Sequence, residues 1–256
     1  MMKSFRIDKL AVRVYDNRST LGSDAAMLLK QKIEALLAAQ SEVNIIFAAA
    51  PSQNEFLSAF KAASVDWKSI NAFHMDEYIG LADDASQGFG NFLRQRLFDD
   101  LPFHAVHLLN GNAGDPVAEC KRYTSLLTKH RPDIVCLGIG ENTHLAFNDP
   151  HIADFKDPEM VKVVSLDEQS RRQQVNDGCF ERLDQVPTQA LTLTIPAMFG
   201  AGYLQAVVPG PRKAMAVFHT LCDQVDELYP STILRTHRDA TLFLDRESAG
   251  RIKQMS

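Results

Sequence analysis

The sequence predicts an α/β fold: a Rossmann-like three-layer sandwich with a mainly parallel sheet and an inserted lid segment. Three observations predict it. Short β-rich runs alternate with longer amphipathic ones, the order that parallel strands joined by helices require. Residues that carry chemistry cluster just after the apolar runs, where open α/β sheets bind their ligands. One polar stretch, about 150–187, breaks the alternation before regular strands resume.

The elements follow in order. "LAVRVYD" reads as a strand, "SDAAMLLKQKIEALLAAQ" as an amphipathic helix and "VNIIFAAA" as a strand. "SQNEFLSAFKAA" reads as a helix, "INAFHMDEY" as a strand and "AVHLL" as a further strand. In "DPVAECKRYTSLLTKH", Asp115 suits the N-cap and Pro116 the first helical position, while Cys120, Tyr123 and Leu127 share one face. The strand "DIVCLGIG" comes next. "HIADFKDPEMVKVVSLDEQSRRQQVNDGCFERLDQVP" has few apolar residues beyond "VKVVSL" and reads as a surface excursion or mobile lid. "ALTLTI", "LQAVVPG" and "ATLFLD" are the closing strands. No repeat, low-complexity tract or Gly/Ser linker divides residues 1–256, so a single domain is expected.

Composition narrows the function. A formal net charge of −5 argues against a nucleic-acid surface, which relies on clustered Lys and Arg. The longest apolar run, around "IIFAAAP", is too short to span a bilayer, and the first residues have no signal-peptide core, so a cytoplasmic protein is expected. Cys120, Cys136, Cys179 and Cys222 form no C-x-x-C pair and suit neither a disulfide framework nor a structural zinc.

Four strand ends should converge on one crevice: "AAAPSQ", "HMDEY", "GIGENTH" and "VVPGPRK". Asp76 and Glu77 alternate to opposite sides, so at most one faces the crevice. Such a carboxylate, its pKa raised by burial, could move a proton between adjacent carbons; a solvated acidic turn is the plainer reading. "GIGENTHLAFNDP" departs from a dinucleotide fingerprint, since the third glycine position is Thr143. Glu141 and His144 have a metal-ligand spacing that only a helix would exploit, and the flanking Gly and Asn disfavour one. The remaining reading is a backbone held close to a small substrate, with His144 exchanging protons and Asp149 or Asn142 orienting its ring. Arg212 and Lys213 oppose the dipole of the helix they precede, which suggests an anion between them and the free amides.

Together these segments resemble the glucosamine-6-phosphate deaminase (isomerase) family, which also includes 6-phosphogluconolactonases. "HMDEYIGL", "LLNGNA", "GIGENTHLAFNDP", "QALTLTI" and "GPRKA" occur in the family's order over nearly the whole chain, and "DEY" and "HLAFN" favour the deaminase branch. The resemblance implies an enzyme that opens an amino-sugar phosphate ring, moves a proton between C2 and C1, and releases ammonia without a cofactor or metal. It implies that Asp76 is the proton-shuttling base, His144 the ring-opening residue and Lys213 a phosphate ligand, with the Gly138 backbone close to the substrate. Glu77, Ser52 and Arg172 are the further expected substrate contacts.

Departures from the family pattern are specific. Asn142 stands where the deaminases carry Asp, Thr143 where they carry Gly, and Asp149 where they carry the longer Glu. An Asn can fix an imidazole but cannot stabilise its cation, and the comparable change in a serine-protease triad costs about 10⁴-fold in turnover. A gain on Asn142→Asp is therefore the expected sign of an altered site. "AAAPSQ" replaces a threonine- and glycine-rich phosphate loop. Little beyond Lys162 remains of the basic residues after the "FN-acid-P" turn, so allosteric regulation is expected to be absent and a hexamer is not implied. Two alternatives stand beside the deaminase: a weakly catalytic or non-catalytic sugar-phosphate-binding protein, and a 6-phosphogluconolactonase-like hydrolase.

Overall fold

The computed structural model describes residues 1–252. Eleven strands and seven α-helices are present in that span. The strands are β1 (Lys3–Ile7), β2 (Leu10–Tyr15), β3 (Val43–Phe47), β4 (Ile70–His74), β5 (Asp76–Tyr78), β6 (Ala105–His107), β7 (Ile134–Leu137), β8 (Val161–Ser165), β9 (Gln189–Leu193), β10 (Tyr203–Val208) and β11 (Ala240–Asp245). The helices are α1 (Arg18–Leu37), α2 (Asn54–Lys61), α3 (Phe89–Leu93), α4 (Pro116–Lys129), α5 (Glu168–Asn176), α6 (Ile195–Phe199) and α7 (Ala214–Cys222).

Eight strands form the main sheet in the order β1-β2-β11-β10-β7-β3-β4-β6. Every pairing is parallel except the β1–β2 hairpin at one edge. Strand parity divides the core. Leu10, Val12, Ile46, Val135, Leu137, Leu204, Leu242 and Leu244 pack on one face with Tyr123 and Leu127 of α4 and Val217 of α7. Ile45, Phe47, Ile134, Cys136, Val207 and Phe243 pack on the other with Leu21 and Leu29 of α1 and Phe56 and Phe60 of α2. Strands buried on both faces read as continuous apolar runs, and these do.

Caps set the helix starts. Asn17 accepts from the Thr20 N–H at α1, and Asp115 accepts from the N–H groups of Val117 and Ala118 at α4. The chain builds outward from β3 through β4 to β6, then returns to β7 on the opposite side of β3 and continues through β10 to β11. The β3/β7 gap is thus the switch point at which such folds bind ligands.

Two features depart from the sequence expectation. "INAFHMDEY" is not one strand: β4 ends at His74, and after Met75 the chain enters a second sheet, β5-β9-β8, which is antiparallel. The polar excursion is not wholly a surface loop. It supplies β8 to that sheet and α5, whose cap Asp167 accepts from the N–H groups of Gln169 and Ser170. Residues Ser170, Gln173 and Gln174 of α5 are buried, so its polar side chains face the protein interior. No helix among the described residues is long and apolar enough to cross a membrane.

Candidate active site

All four strand ends meet at one cavity of about 60 Å³, whose lining includes Ser52, Asp76, Gly138, His144, Lys213 and Gln174. A second chamber of about 320 Å³ shares Ala49, Ala50, Phe89 and Gln174 with it. The three side chains that could move protons or hold an anion come from β5, the loop after β7 and the turn after β10.

Asp76 enters the cavity because β5 leaves the main sheet to pair with β9, setting Asp76 opposite Thr192. It is buried and makes no side-chain hydrogen bond with the described protein. Burial, together with the neighbouring charge of Glu77, holds its pKa well above the ordinary carboxylate value. Glu77 points the other way, as strand alternation requires, and does not line this cavity. Its carboxylate accepts from the N–H groups of Phe89 and Gly90 at 3.0 and 2.8 Å, and its Oε2 lies 3.6 Å from His74 Nε2. Burial alone would raise its pKa, but His74 and these amides lower it. Glu77 therefore anchors the start of α3 and lies outside the cavity in which the sequence expectation placed it as a substrate contact.

The β7–β8 loop holds His144 in a tight polar cluster. The Oδ1 of Asn142 accepts from the His144 backbone N–H at 3.2 Å and lies 2.7 Å from Nδ1 of its ring. A backbone N–H only donates, which orients the Asn142 amide, and an oxygen facing Nδ1 requires that Nδ1 carry the proton. The free ring nitrogen is then Nε2, in the lining of the cavity. Asn142 Nδ2 donates to Asp149 Oδ1 at 3.0 Å, and that oxygen is 3.2 Å from His144 Nδ1. Burial would raise the pKa of Asp149, but His144, Ser170 and Asn142 hold it well below the usual carboxylate range. The tautomer is set by an amide and the charge is supplied by a carboxylate.

The loop is strained to achieve this. Thr143 has φ +73°, a conformation costly for a β-branched residue, where the family pattern has Gly. A Cβ on Gly140 would collide with the His144 ring, so the second glycine of "GIG" exists to let the imidazole lie against the backbone. The far side of the loop is tied to β9: Phe147 N–H donates to Thr192 Oγ1 at 3.0 Å, and Asn148 Nδ2 donates to the Leu193 carbonyl at 2.8 Å.

Lys213 closes the third side. Gly210, at φ +96°, turns the chain out of β10, and its N–H donates to the Asp245 carboxylate at 3.0 and 3.1 Å. The next turn, Pro211–Lys213, buries Lys213 in the cavity lining. Among the described residues its ammonium has neither a hydrogen bond nor an ion pair, and burial lowers its pKa against the opposing charges of Asp177 and Glu141. Ser52, in the turn after β3, lines the same cavity and accepts from Gln53 Nε2 at 3.1 Å. Gln53 Nε2 also donates to the Val207 carbonyl at 3.0 Å, clamping β3 to β10 around the Gly138 backbone.

Two arginines are not where the sequence suggested. Arg172 is exposed, ion-paired to Glu168 at 2.5 Å, and absent from the cavity; helical spacing aims it away from buried Ser170, Gln173 and Gln174. Arg212 is drawn to α5, donating to the Asn176 carbonyl and lying 3.5 Å from Asp177. Conversely, Gln173, Gln174 and Ser170 reach the site without having been expected there. No group of three or more His, Cys, Asp or Glu side chains among the described residues is placed to hold a metal ion.

Residues 16–243 match the family described as glucosamine-6-phosphate isomerases/6-phosphogluconolactonase. The chain belongs to this family. Among curated relatives, a glucosamine-6-phosphate deaminase of Exiguobacterium sp. is 39% identical over 193 residues, 75% of this chain and 74% of its own length. One from Streptococcus sanguinis is 32% identical over 238 residues, 93% of this chain and 97% of its own length. A solved monomeric glucosamine-6-phosphate deaminase superposes with a TM-score of 0.83 at 28% identity, covering 93% of this chain and 98% of its own. A 6-phosphogluconolactonase from Trypanosoma brucei shares the fold, with a TM-score of 0.77 at 17% identity over 98% of this chain and all of the other. In this isomerase/lactonase family member, Asn142, Thr143 and Asp149 occupy the loop that positions the imidazole.

Proposed function

We propose that the protein is a glucosamine-6-phosphate deaminase, converting an amino-sugar phosphate and water to a ketose phosphate and ammonia by acid/base chemistry. The observation that carries this reading is the single cavity shared by Asp76, His144 and Lys213. Small-molecule sites enclose roughly 300–1,000 Å³, so a phosphosugar with its reacting carbons in the cavity of about 60 Å³ also extends into the neighbouring chamber.

Each group has a part. Lys213, lacking a protein counter-ion, receives the phosphate with the Ser52 hydroxyl nearby. His144 Nε2 accepts the proton of the anomeric hydroxyl and returns one to the ring oxygen as the C1–O5 bond breaks, giving the open-chain amino aldehyde. Asp76 removes the C2 proton and delivers a proton to C1, while the C2 ammonium gives up one proton to the C1 oxygen, so that the aldehyde becomes a hydroxymethyl group and C2 an iminium. Water adds there and ammonia departs as the C2–N bond breaks, leaving the ketone. A buried, poorly solvated carboxylate suits the proton transfer, because its raised pKa brings it closer to the weak carbon acid. A cytoplasmic place and a monomeric state fit this reading, and sedimentation velocity showing a stable oligomer would remove the second.

Ammonium release from glucosamine 6-phosphate by the native chain tests the assignment, and its absence with tight sugar-phosphate binding would favour the non-catalytic alternative. Lys213→Gln is expected to raise KM about 10–100-fold, the equivalent of one charged hydrogen bond, with a smaller change in kcat. An unchanged KM would place the phosphate elsewhere.

A further inference from the structure

We propose that Ser170 is a positioning residue for the His144–Asp149 pair, so that the acid/base centre is complete only with α5 docked against the β7–β8 loop. This rests on the deaminase reading and extends it to a residue that no part of that chemistry requires.

Ser170 is buried, although it lies in the most polar stretch of the chain. Its hydroxyl contacts all three members of the cluster: Asp149 Oδ1, His144 Nδ1 at 2.9 Å and Asn142 Nδ2 at 3.3 Å. The donor and acceptor inventory has one consistent solution. The Nδ1–H and the Asn142 amide donate, and Asp149 only accepts, so the Ser170 hydroxyl donates to Asp149 and turns its lone pairs toward the other two. Each polar atom on the Nδ1 side of the ring is then partnered, in a region with little water to replace a missing contact.

A second tie holds α5 to the same loop. Gln173, one turn after Ser170, accepts from the Glu141 N–H at 2.7 Å through its Oε1. Asn142 and Asp149 alone could hold the ring through the loop's own residues, but both belong to a loop strained at Thr143. Ser170 is the contact from outside the loop that touches both the imidazole and its carboxylate. Removing it takes one donor from Asp149 Oδ1 and leaves the carboxylate held by Asn142 and by the Asp167 N–H, which donates to its other oxygen at 3.4 Å.

The test uses Ser170→Ala, which deletes the hydroxyl, and Ser170→Cys, which keeps a side chain of similar shape with a weak donor. Expected for Ala is a kcat about 10-fold lower with KM within twofold, and for Cys a value between Ala and native, as loss of a hydrogen bond made through the reacting group predicts. In the ligand-free protein, the downfield proton resonance of His144 Nδ1 should move in both variants. Native kcat in the Ala variant, a loss confined to KM, or an unmoved Nδ1 resonance would overturn the proposal. Should Ser170→Ala fail to fold, the Cys variant decides by the same two readouts. If the native chain releases no ammonium, the deaminase reading fails first, and the resonance still decides the role of Ser170.

Discussion

Asp76→Asn is expected to lower kcat for ammonium release by about 10²–10⁴-fold, the usual contribution of a positioned general base, while the folded protein becomes more stable at neutral pH. The two effects share a cause. Asp76 is buried without a hydrogen-bond partner, beside Glu77, and its pKa stands well above the ordinary value. Between the unfolded pKa, near 4, and the raised folded one, the native state binds more protons than the unfolded chain. Stability therefore falls as pH rises through that window. The amide carries no charge to desolvate, so the variant should melt at a higher temperature than the native chain at pH 7, and the gain should vanish at pH 3.5, where the native carboxyl is largely protonated in both states. Asp149 has the opposite sign: its lowered pKa stabilises the native state above the ordinary value and is lost as pH falls through the folded one. Thermal melts at two pH values with parallel ammonium assays check both halves. Turnover that survives Asp76→Asn would remove this residue as the base.

The second large effect concerns Asn142. From the sequence alone, Asn142→Asp looks like a repair toward the family pattern. The structure reverses that expectation. Asn142 Nδ2 is the donor 3.0 Å from Asp149 Oδ1, so an aspartate there would set two carboxylates in contact. Asn142→Asp should therefore lose about 10-fold or more. Asp149→Asn should lose about 10²-fold, less than the ~10⁴-fold of a protease triad, because Asn142 still holds the Nδ1–H tautomer and only the counter-charge is gone. The double variant Asn142→Asp/Asp149→Asn moves the single anion to the other side of the cluster and restores one amide beside one carboxylate. It should turn over about 10-fold faster than Asp149→Asn and about 10²-fold faster than additive losses allow, a coupling near 2.7 kcal/mol within the range for contacting residues. Steady-state kcat values for the four proteins complete the cycle, and purely additive losses would show that the two side chains act independently.

Much of the fold was legible because local signals agree with it. The apolar runs of β7, β10 and β11 are buried on both faces, and Asp115 and Pro116 mark the start of α4 as capping requires. The small second sheet was not legible: β4 and β5 are separated by Met75 alone, and nothing in "FHMDEY" marks the change of partner. The site was read well where position on a strand determines direction. Asp76 and Glu77 do face opposite ways, and the four strand ends do meet. It was read poorly where long side chains choose among partners. Arg172 and Arg212 find carboxylates and a carbonyl on α5 instead of the cavity. Ser170, Gln173 and Gln174 escaped notice because a polar helix face looks solvated until the surface it covers is known to be polar too. The one available signal was the Asp167 cap, which fixes where α5 begins and hence which residues share its inner face.

That Asp76, His144 and Lys213 act on one sugar phosphate is tested most directly by turnover of glucosamine 6-phosphate in D₂O, with ammonium and the labelled product followed together. Ammonium should appear in step with a ketose phosphate carrying solvent deuterium at C1, to an extent set by how fast the Asp76 proton exchanges, and both signals should collapse in Asp76→Asn. No ammonium, or ammonium release that persists in Asp76→Asn, would contradict the account.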